Sequence, residues 1–385
     1  MARPPVVPDI LEEHLEELAF LSLQRRKLAF DWETFPRELR AHDLRIEAHR
    51  AALKLGGAEA ARIARARLED AVMDWEIYAS LRTWFETEPP SGETVREILQ
   101  SRLGDDPDPS LAKAAGWREA FRTLPPGRAE ELLRIDVPAA TAIAVDAAGW
   151  HGALDAKGAD RFASHSAPAV RRGVARTLGA ARFDPTRALD RLLGDPEIEV
   201  RHAALGSRLL RDPRGTHEMV RGRVAGADDF ELRVLGLLGD ANDLRGLASR
   251  ARETPAAARA LGDLRDPRAL DVLLELARDK DADLAAAALD GVATIAGWPD
   301  GREGADDLDV EEMAAHVAAR RSALEDAPRW LRGIAYPPRN SEEITTEAAW
   351  RLAIESDDPE RGRRLREVPD GFFTGAPVEE ALCGE

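Results

Sequence analysis

Apolar residues recur at helical spacing along most of the chain, in short stretches separated by turns. After Asp195, the small or apolar residues at positions 200, 203, 204 and 207 follow the i, i+3, i+4, i+7 pattern. That spacing places them on one side of an α-helix. Strand-forming residues are sparse, and no stretch keeps the alternation of apolar and polar positions typical of a half-buried strand. The pattern predicts an all-α fold with essentially no sheet.

A helix-start signal accompanies these stretches. Asp-Pro occurs seven times, at Asp106, Asp108, Asp184, Asp195, Asp212, Asp266 and Asp358, whereas chance placement of Asp and Pro would give about two. An Asp side chain accepts hydrogen bonds from the free N–H groups of a first helical turn, and Pro already holds a helical φ. The repetition predicts a series of short helices.

The helices fall into repeats between residues 93 and 298. The first helix of each unit can be aligned on a small apolar anchor, and successive anchors lie 25–32 residues apart. The anchors are Leu111, Ala139, Val170, Val200, Leu232, Ala257 and Leu284. Neither helix of a pair can bury its apolar stripe alone, so neighbouring units must stack. We expect an α-solenoid of about six or seven two-helix units.

The segments on either side of the repeats differ from them. Residues 9–87 predict an N-terminal helical domain with helices near Asp9–Lys27, Leu39–Leu55 and Ala58–Phe85. The aromatic group Trp75, Tyr78, Trp84 and Phe85 is expected to seal this domain against the first repeat. Residues 299–385 predict an acidic linker, a helical cap with helices near 310–324 and 341–354, and a turn-rich tail.

The repeats resemble a known class. Val-Arg-His-Ala-Ala-Leu-Gly at 200–206, after Asp-Pro, is similar to the short HEAT-like repeat of phycobilisome-lyase-type proteins, and Val170-Arg171 with Val174 and Leu178 repeats it. The resemblance covers roughly residues 105–298. It implies a fold, and it implies very little about function.

The N-terminal helix carries a second resemblance. Residues 14–25, His-Leu-Glu-Glu-Leu-Ala-Phe-Leu-Ser-Leu-Gln-Arg, resemble the opening of a bacterial family in which such a helix precedes HEAT-like repeats, and the likeness continues weakly through residues 43–49. Genes of that family often sit beside type VI secretion components. The resemblance implies a bacterial accessory of a type VI-like secretion system.

Charge and cysteine content narrow the cellular context. The net charge of −17 argues against nucleic acid or an anionic membrane as the principal partner. Cys383 is the only cysteine, so an internal disulfide is impossible. The first residues lack the features of a signal peptide, and no apolar run reaches transmembrane length. We expect a cytoplasmic protein that does not bind membranes.

Catalytic and cofactor motifs are missing from the sequence. A di-iron hydroxylase of HEAT-like fold needs several His-Glu pairs, and only His217-Glu218 occurs. A DNA glycosylase needs a basic face with Trp and an acidic residue; Trp117, Trp150 and Trp298 are present, but the charge balance is wrong. The histidines, including His42 and His49, lack metal-ligand spacing. We expect no enzyme activity, cofactor or metal.

The acidic cluster at residues 306–312 could supply oxygen ligands to a cation, but it lacks the ligand spacing of a calcium loop. Acidic residues at a helix N-terminus, where the helix dipole favours them, are the better interpretation.

Two groups of residues are candidates for partner binding. Arg171, Arg201 and Arg233 occupy matching places in successive units. They form either a basic ladder along a groove or, as repeat proteins favour, bonds to an Asp or a helix end. Phe372 and Phe373 lie between Gly and Pro residues. They either dock onto the repeats or anchor a partner.

These observations favour a non-catalytic scaffold or adaptor that binds a protein with a basic or mixed surface. The type VI resemblance suggests an effector or spike component as that protein. The alternatives are an enzyme or nucleic-acid-processing protein on a HEAT-like frame, such as a DNA glycosylase, and an assembly scaffold unrelated to secretion.

Overall fold

A computed structural model describes residues 7–30, 36–103, 116–118, 120–124, 133, 138–299, 309–325, 330–331 and 334–335. Within these residues the chain is helical apart from one pair of two-residue strands, which confirms the all-α prediction. The helices form two compact units, and the boundary lies between Arg211 and Asp212. This boundary falls inside the predicted repeat segment, residues 93–298.

The first unit holds ten α-helices among the described residues. They are α1 Pro8–Phe30, α2 Pro36–Gly56, α3 Ala58–Asp70, α4 Asp74–Thr87, α5 Gly92–Leu103, α6 Pro138–Trp150, α7 Ala156–Phe162, α8 Pro168–Thr177, α9 Thr186–Leu193 and α10 Ile198–Arg211. A 3₁₀ turn, Leu178–Ala180, follows α8.

The second unit continues with shorter helices and a small sheet. Its elements are α11 Pro213–Arg221, α12 Asp229–Leu238, α13 Leu244–Ala251, α14 Pro255–Asp263, α15 Leu270–Leu276, α16 Ala282–Ala296, α17 Val310–Glu325, β1 Trp330–Leu331 and β2 Ile334–Ala335. The 3₁₀ turns Val224–Gly226 and Pro267–Ala269 precede α12 and α15.

The N-terminal helices pack as a group, with α1 against α2 and α4, and α3 against α4. The predicted end of the second helix is confirmed, because α2 stops at Gly56. Gly57 follows with a φ of 55°, a conformation that glycine adopts without steric cost.

The third predicted helix is in fact two helices, so the single helix predicted over residues 58–85 is wrong. α3 and α4 are separated by Ala71, Val72 and Met73. The Glu76 carboxylate accepts hydrogen bonds from the main-chain N–H groups of Val72 and Met73, at 3.3 and 3.2 Å. These bonds satisfy donors at the start of α4 and stabilise a fresh helix start there. The apolar spacing runs through this break and hides it.

One hydrophobic core joins the N-terminal helices to α6. Buried side chains belong to it from Leu11 in α1 to Ala148 in α6. Phe85 of α4 meets Phe121 edge to face at 5.3 Å between ring centroids, and the ring centroids of Phe121 and Trp117 lie 6.1 Å apart. Phe85 is thus the member of the predicted aromatic group whose ring contacts Phe121, outside α4; a seal against a first repeat stays a prediction.

Each Asp-Pro pair that the structure describes lies just before or at the start of a helix. Pro holds the predicted first position at Pro213 of α11 and at Pro267 of a 3₁₀ turn, whereas α9 begins at Thr186 and α10 at Ile198, after the Pro. Asp212 caps α11 by accepting a 2.8 Å hydrogen bond from the Gly215 N–H. At the other described pairs the carboxylate accepts the N–H two residues on, at 2.9–3.0 Å, in Asp184, Asp195 and Asp266. The pairs at Asp106, Asp108 and Asp358 lie outside the described residues.

In the first unit α8 packs between α6 and α10, and α9 packs against α10. The approach is close because small residues meet. A Cβ atom on Gly149 would lie 2.3 Å from the Cβ of Thr177, and one on Gly173 would lie 2.8 Å from the carbonyl oxygen of Ala142. Both contacts join α6 to α8.

The second unit repeats this arrangement. α14 lies between α12 and α16, while α11, α13 and α15 pack against α12, α14 and α16 respectively. A Cβ on Gly236 would be 2.5 Å from the carbonyl oxygen of Ala260. A Cβ on Gly262 would be 2.4 Å from the Cα of Gly291.

The C-terminal part agrees with the sequence in one helix and differs in one detail. α17 matches the helix predicted over 310–324. Residues predicted as an irregular stretch instead form the antiparallel pair β1–β2, with Trp330 opposite Ala335. This is a small departure from the expectation of no sheet. The helix predicted near 341–354 and the turn-rich tail lie outside the described residues.

The close helix contacts predict the effect of one added methyl group. Gly262→Ala places a Cβ against the backbone of α16, so α14 and α16 must separate. Overpacking of this kind costs about 1–3 kcal/mol, more than the about 1 kcal/mol that Ala gains over Gly in a helix. We expect a lower free energy of unfolding in urea denaturation.

Gly226→Ala is the matched control, because a Cβ there has no neighbour within 4 Å. It should leave the free energy of unfolding within about 0.5 kcal/mol of the parent. Equal stability of the two variants would contradict the close packing of α14 on α16.

Candidate functional site

Arg171, the first residue of the predicted basic ladder, is committed to internal bonds. Its guanidinium donates to both carboxylate oxygens of Asp195, from Nε at 2.6 Å and from Nη2 at 2.9 Å. Nη1 donates to the carbonyl oxygens of His165 and Ser166, both at 2.8 Å. Arg171 therefore ties the turn before its own helix, α8, to the turn before α10.

Arg201 repeats half of this pattern. Its Nη1 donates to the carbonyl oxygens of Asp195 and Pro196, at 2.8 and 3.0 Å. These are six and five residues upstream, the same offsets that Arg171 uses. Arg201 is thus held by main-chain carbonyl groups of the turn before its own helix, α10. Arg171 and Arg201 meet at one turn, whereas Arg233 is exposed on α12 in the other unit.

The shared Asp195 is held as a carboxylate. Burial acts to raise the pKa of Asp195, but hydrogen bonds from Arg171 and from the Glu197 N–H outweigh it and place that pKa below its ordinary value. The bidentate geometry is the strong form of an Arg–Asp pair. Arg171 and Asp195 form a structural joint between α8 and the turn before α10.

The tail residues Phe372 and Phe373 lie outside the described residues. Their role in partner binding stays a prediction from the sequence.

A second series of arginines links alternate helices within each unit: α7 with α9 in the first, and α11, α13, α15 and α17 in the second. The arginines lie at or just past the ends of their helices, 26–31 residues apart: Arg191, Arg221, Arg252 and Arg278. In the first unit, Arg191 of α9 donates to the carbonyl oxygen of Asp160 in α7 and to the hydroxyl of Ser164, just past the end of α7.

In the second unit the arginines reach forward. Arg252 pairs with Glu275 through two hydrogen bonds of 2.6 and 2.8 Å, and Arg278 pairs with Glu311 at 2.9 Å. The sequence-based predictions do not include this series. Its signal in the sequence is a basic residue that recurs every 26–31 residues near the end of a helix.

The most buried member of the series is the Arg221–Asp243 joint. The two oxygens of Asp243 accept from Arg221 Nε at 2.7 Å and Nη2 at 2.8 Å, from the ring Nε2 of His217 at 2.9 Å and from the Asp240 N–H at 2.8 Å. Arg221 also pairs with the Asp240 carboxylate at 2.9 Å. This set, called the Asp243 joint below, connects α11 to the start of α13.

Electrostatics and geometry agree on the ionisation of this joint. Burial acts to raise the pKa of Asp243, but hydrogen bonds from Arg221, His217 and the Asp240 N–H hold it far below its ordinary value. The hydrogen bond to Asp243 raises the pKa of Arg221. With four donors on its two oxygens, Asp243 has little capacity left to take a proton from a substrate. The Asp243 joint therefore serves as a structural link between α11 and α13.

The tryptophans considered for DNA glycosylase chemistry are placed differently. Arg122 donates to Asp146 at 2.9 Å and its guanidinium carbon lies 4.8 Å from the ring centroid of Trp150. Asp146 is fully buried, and Trp117 is 2% exposed. Trp298 belongs to the second unit. An acid and a Trp closed off in this way cannot receive a nucleotide without rearrangement.

The histidines make pairwise contacts. His42 is buried and its Nε2 donates to the carbonyl oxygen of Leu21 at 2.7 Å. His14 and His49 join α1 to α2 through a 3.0 Å contact between their Nδ1 atoms. Burial and the neighbouring His14 lower the pKa of His49. Among the described residues, no three His, Cys, Asp or Glu side chains are arranged to hold a metal ion.

Part of the acidic cluster at 306–312 is described, from Asp309 onward. Asp309 accepts the Glu311 N–H at 3.2 Å at the start of α17, and Glu311 is the partner of Arg278. These contacts match the helix-start interpretation. None of the described helices combines the length and apolar character needed to cross a bilayer.

The outer side of α2 carries an exposed apolar surface. α2 buries Ile46 and Leu53 on its inner side, yet Leu44 and Leu55 on its outer side are 66% and 81% exposed. Isolated exposed leucines are common, but two on one helix face deserve a functional hypothesis.

Comparisons with known proteins add nothing to this geometry. No protein-family model matches the chain, and neither a curated protein nor a solved structure does. The HEAT-like and type VI-associated resemblances therefore stay predictions from the residues quoted for them.

The Asp243 joint predicts a strong effect of charge removal. Asp243→Asn keeps the side-chain size but turns one acceptor into a donor that faces Arg221 and His217. Breaking a buried ion pair on one side costs about 3–5 kcal/mol, and we expect a loss of about 3 kcal/mol in the free energy of unfolding at pH 7. Asp271→Asn is the control, since that side chain is 72% exposed and its pairing with Arg321 is worth at most about 1 kcal/mol.

The difference in the free energy of unfolding between the parent and Asp243→Asn should depend on pH, and its direction follows from the pKa of Asp243. The pKa of Asp243 is lower in the folded chain than its ordinary value of about 3.9. The stabilisation is therefore complete above that value and is lost as the pH falls below it. Parent and Asp243→Asn should converge in urea denaturation as the pH drops below about 4. A gap that stays constant with pH would contradict an electrostatic role.

Proposed function

We propose that this chain is a non-catalytic scaffold of HEAT-like repeats, stacked as a solenoid, that binds another protein. Support comes from the order of the packing in each unit. The helices α6, α8 and α10 contact one another in turn, as do α12, α14 and α16, and arginines connect the helices that alternate with them. Frames of this kind present extended surfaces for recognition.

The observation that carries the proposal is the use made of the buried charged groups. Asp195 and Asp243, the acids at the repeat joints, are occupied by donors from the protein itself. A catalytic acid or base needs free capacity and access to a substrate. Groups that are saturated by their own frame fit a structural protein better than an enzyme.

The outward side of α12, α14 and α16 is the best candidate for the recognition surface. Arg233 and Arg259 are exposed and lie three residues before Gly236 and Gly262, the glycines at the helix contacts. Asp290 is exposed on α16. The surface thus carries both signs of charge on a rigid layer. It suits a protein partner of mixed charge, since complementary charges set specificity and association rate.

The N-terminal resemblance adds a context to this proposal. The partner would be an effector or spike component, held in the bacterial cytoplasm by an accessory of a type VI-like secretion system. An assembly scaffold unrelated to secretion is the alternative within the same class, and it would use the same surface.

The test is affinity purification from the source bacterium with the parent chain and with the double variant Arg233→Glu, Arg259→Glu. We expect a discrete protein to be retained by the parent and lost from the variant, because two charges on the surface are reversed. The control is Arg187→Glu with Arg214→Glu, whose side chains are 78% and 88% exposed on second helices.

Thermal melting of all three chains confirms that each is folded. Retention of the protein by the double variant would place the binding surface elsewhere. Recovery of nucleic acid alone, with affinity for random duplex DNA that falls steeply with salt, would instead favour the nucleic-acid-processing alternative.

A further inference from the structure

The outer side of α2 is an apolar stripe on a helix whose inner side is already packed. Leu44, Ala48, Ala51 and Leu55 lie at i, i+4, i+7 and i+11, so they share one face. All four are exposed. We call this set the α2 stripe. α2 is thus apolar on two opposite sides. In the described part of the chain, neighbouring helices cover its inner side, and the outer side is left for a partner.

The α2 stripe has a symmetry of its own. The spacing from Leu44 to Leu55 is four, three and four residues, which reads the same in both directions. If a second α2 lies antiparallel across it, Leu44 of one copy meets Leu55 of the other at both ends. Ala48 then meets Ala51 in the centre, where small residues permit close approach. A stripe that matches itself in this way fits a two-fold interface between identical chains.

The charges beside the stripe obey the same symmetry. Glu47 and Lys54 flank it on one side, with side chains 61% and 50% exposed. Within the chain, Glu47 pairs with Arg50, and the Lys54 nitrogen lies 3.4 Å from a Glu86 oxygen. Antiparallel helix packing brings the same flank of both helices together. Glu47 of each copy therefore faces Lys54 of the other, and these two contacts extend the ion pairs that each chain already makes. Arg45 lies on the opposite flank, where Ala52 of the other copy faces it without repulsion.

From this self-complementarity we infer that the chain forms a homodimer through antiparallel contact of its α2 stripes. The stripe is a single helix face, so the area it buries is at the low end of specific interfaces, and the dimer is reversible and concentration-dependent. The inference concerns the purified chain alone and does not rest on the proposed partner binding.

The test is sedimentation velocity of the full chain over a wide concentration range. The parent should shift from monomer to dimer as concentration rises. Leu44→Glu with Leu55→Glu should raise the dimer dissociation constant by at least about 10-fold, a loss of about 1.4 kcal/mol. Val72→Glu is the control, because Val72 is 64% exposed but lies outside the stripe; it should leave the dissociation constant unchanged.

Exchanging the charges at positions 47 and 54 tests whether the dimer forms through this interface and not through another one. Glu47→Lys places lysines opposite Lys54, and Lys54→Glu places glutamates opposite Glu47, so each variant alone should dimerise less well than the parent. Mixing the two variants restores both ion pairs in a heterodimer and should recover association. A chain that is monomeric at all concentrations, a dimer that survives the double Glu variant, or a mixture without recovery would each overturn the inference.

Discussion

Contact between neighbouring helices at small residues is the constraint on which the packing within each unit depends. Where α6 meets α8, α12 meets α14 and α14 meets α16, a single added Cβ would overlap with the facing helix. An interface made of Gly, Ala and Thr lets helix backbones approach closely, so contacts between backbones take the place of contacts between large side chains. The small share of aromatic residues, 5% of the chain, agrees with contacts of this kind.

Small residues bring helices together but do little to fix their register, because the contact has no preferred direction. The carboxylates of Asp195 and Asp243 supply that direction. Each accepts hydrogen bonds from an arginine that lies 24 or 22 residues earlier in the chain, and each also holds its own turn through a main-chain N–H. Packing and polar bonding therefore have separate tasks, the first setting distance and the second setting alignment.

The sequence predicted the features that depend on local chemistry. Asp-Pro pairs mark helix starts because cap and first turn lie within four residues, and α17 could be placed from its apolar spacing. Features that depend on distant partners escaped it. The sequence shows Arg171 as a member of a recurring pattern. Its pairing with Asp195, 24 residues later, depends on the packing of α8 beside α10, which local sequence does not reveal. The Arg191–Arg278 series went unnoticed because arginine is abundant throughout. The break at Val72 and Met73 was missed because apolar spacing continues across it.

The N-terminal helices and α6 share one hydrophobic core. Its buried members among the described residues include Leu11 of α1 and Ala148 of α6, and Phe85 and Phe121 lie between them in sequence. A close-packed interior transmits a change of shape at one side chain to its neighbours. Helices that lie far apart in the sequence, α1 and α6, therefore belong to one cooperative part of the molecule.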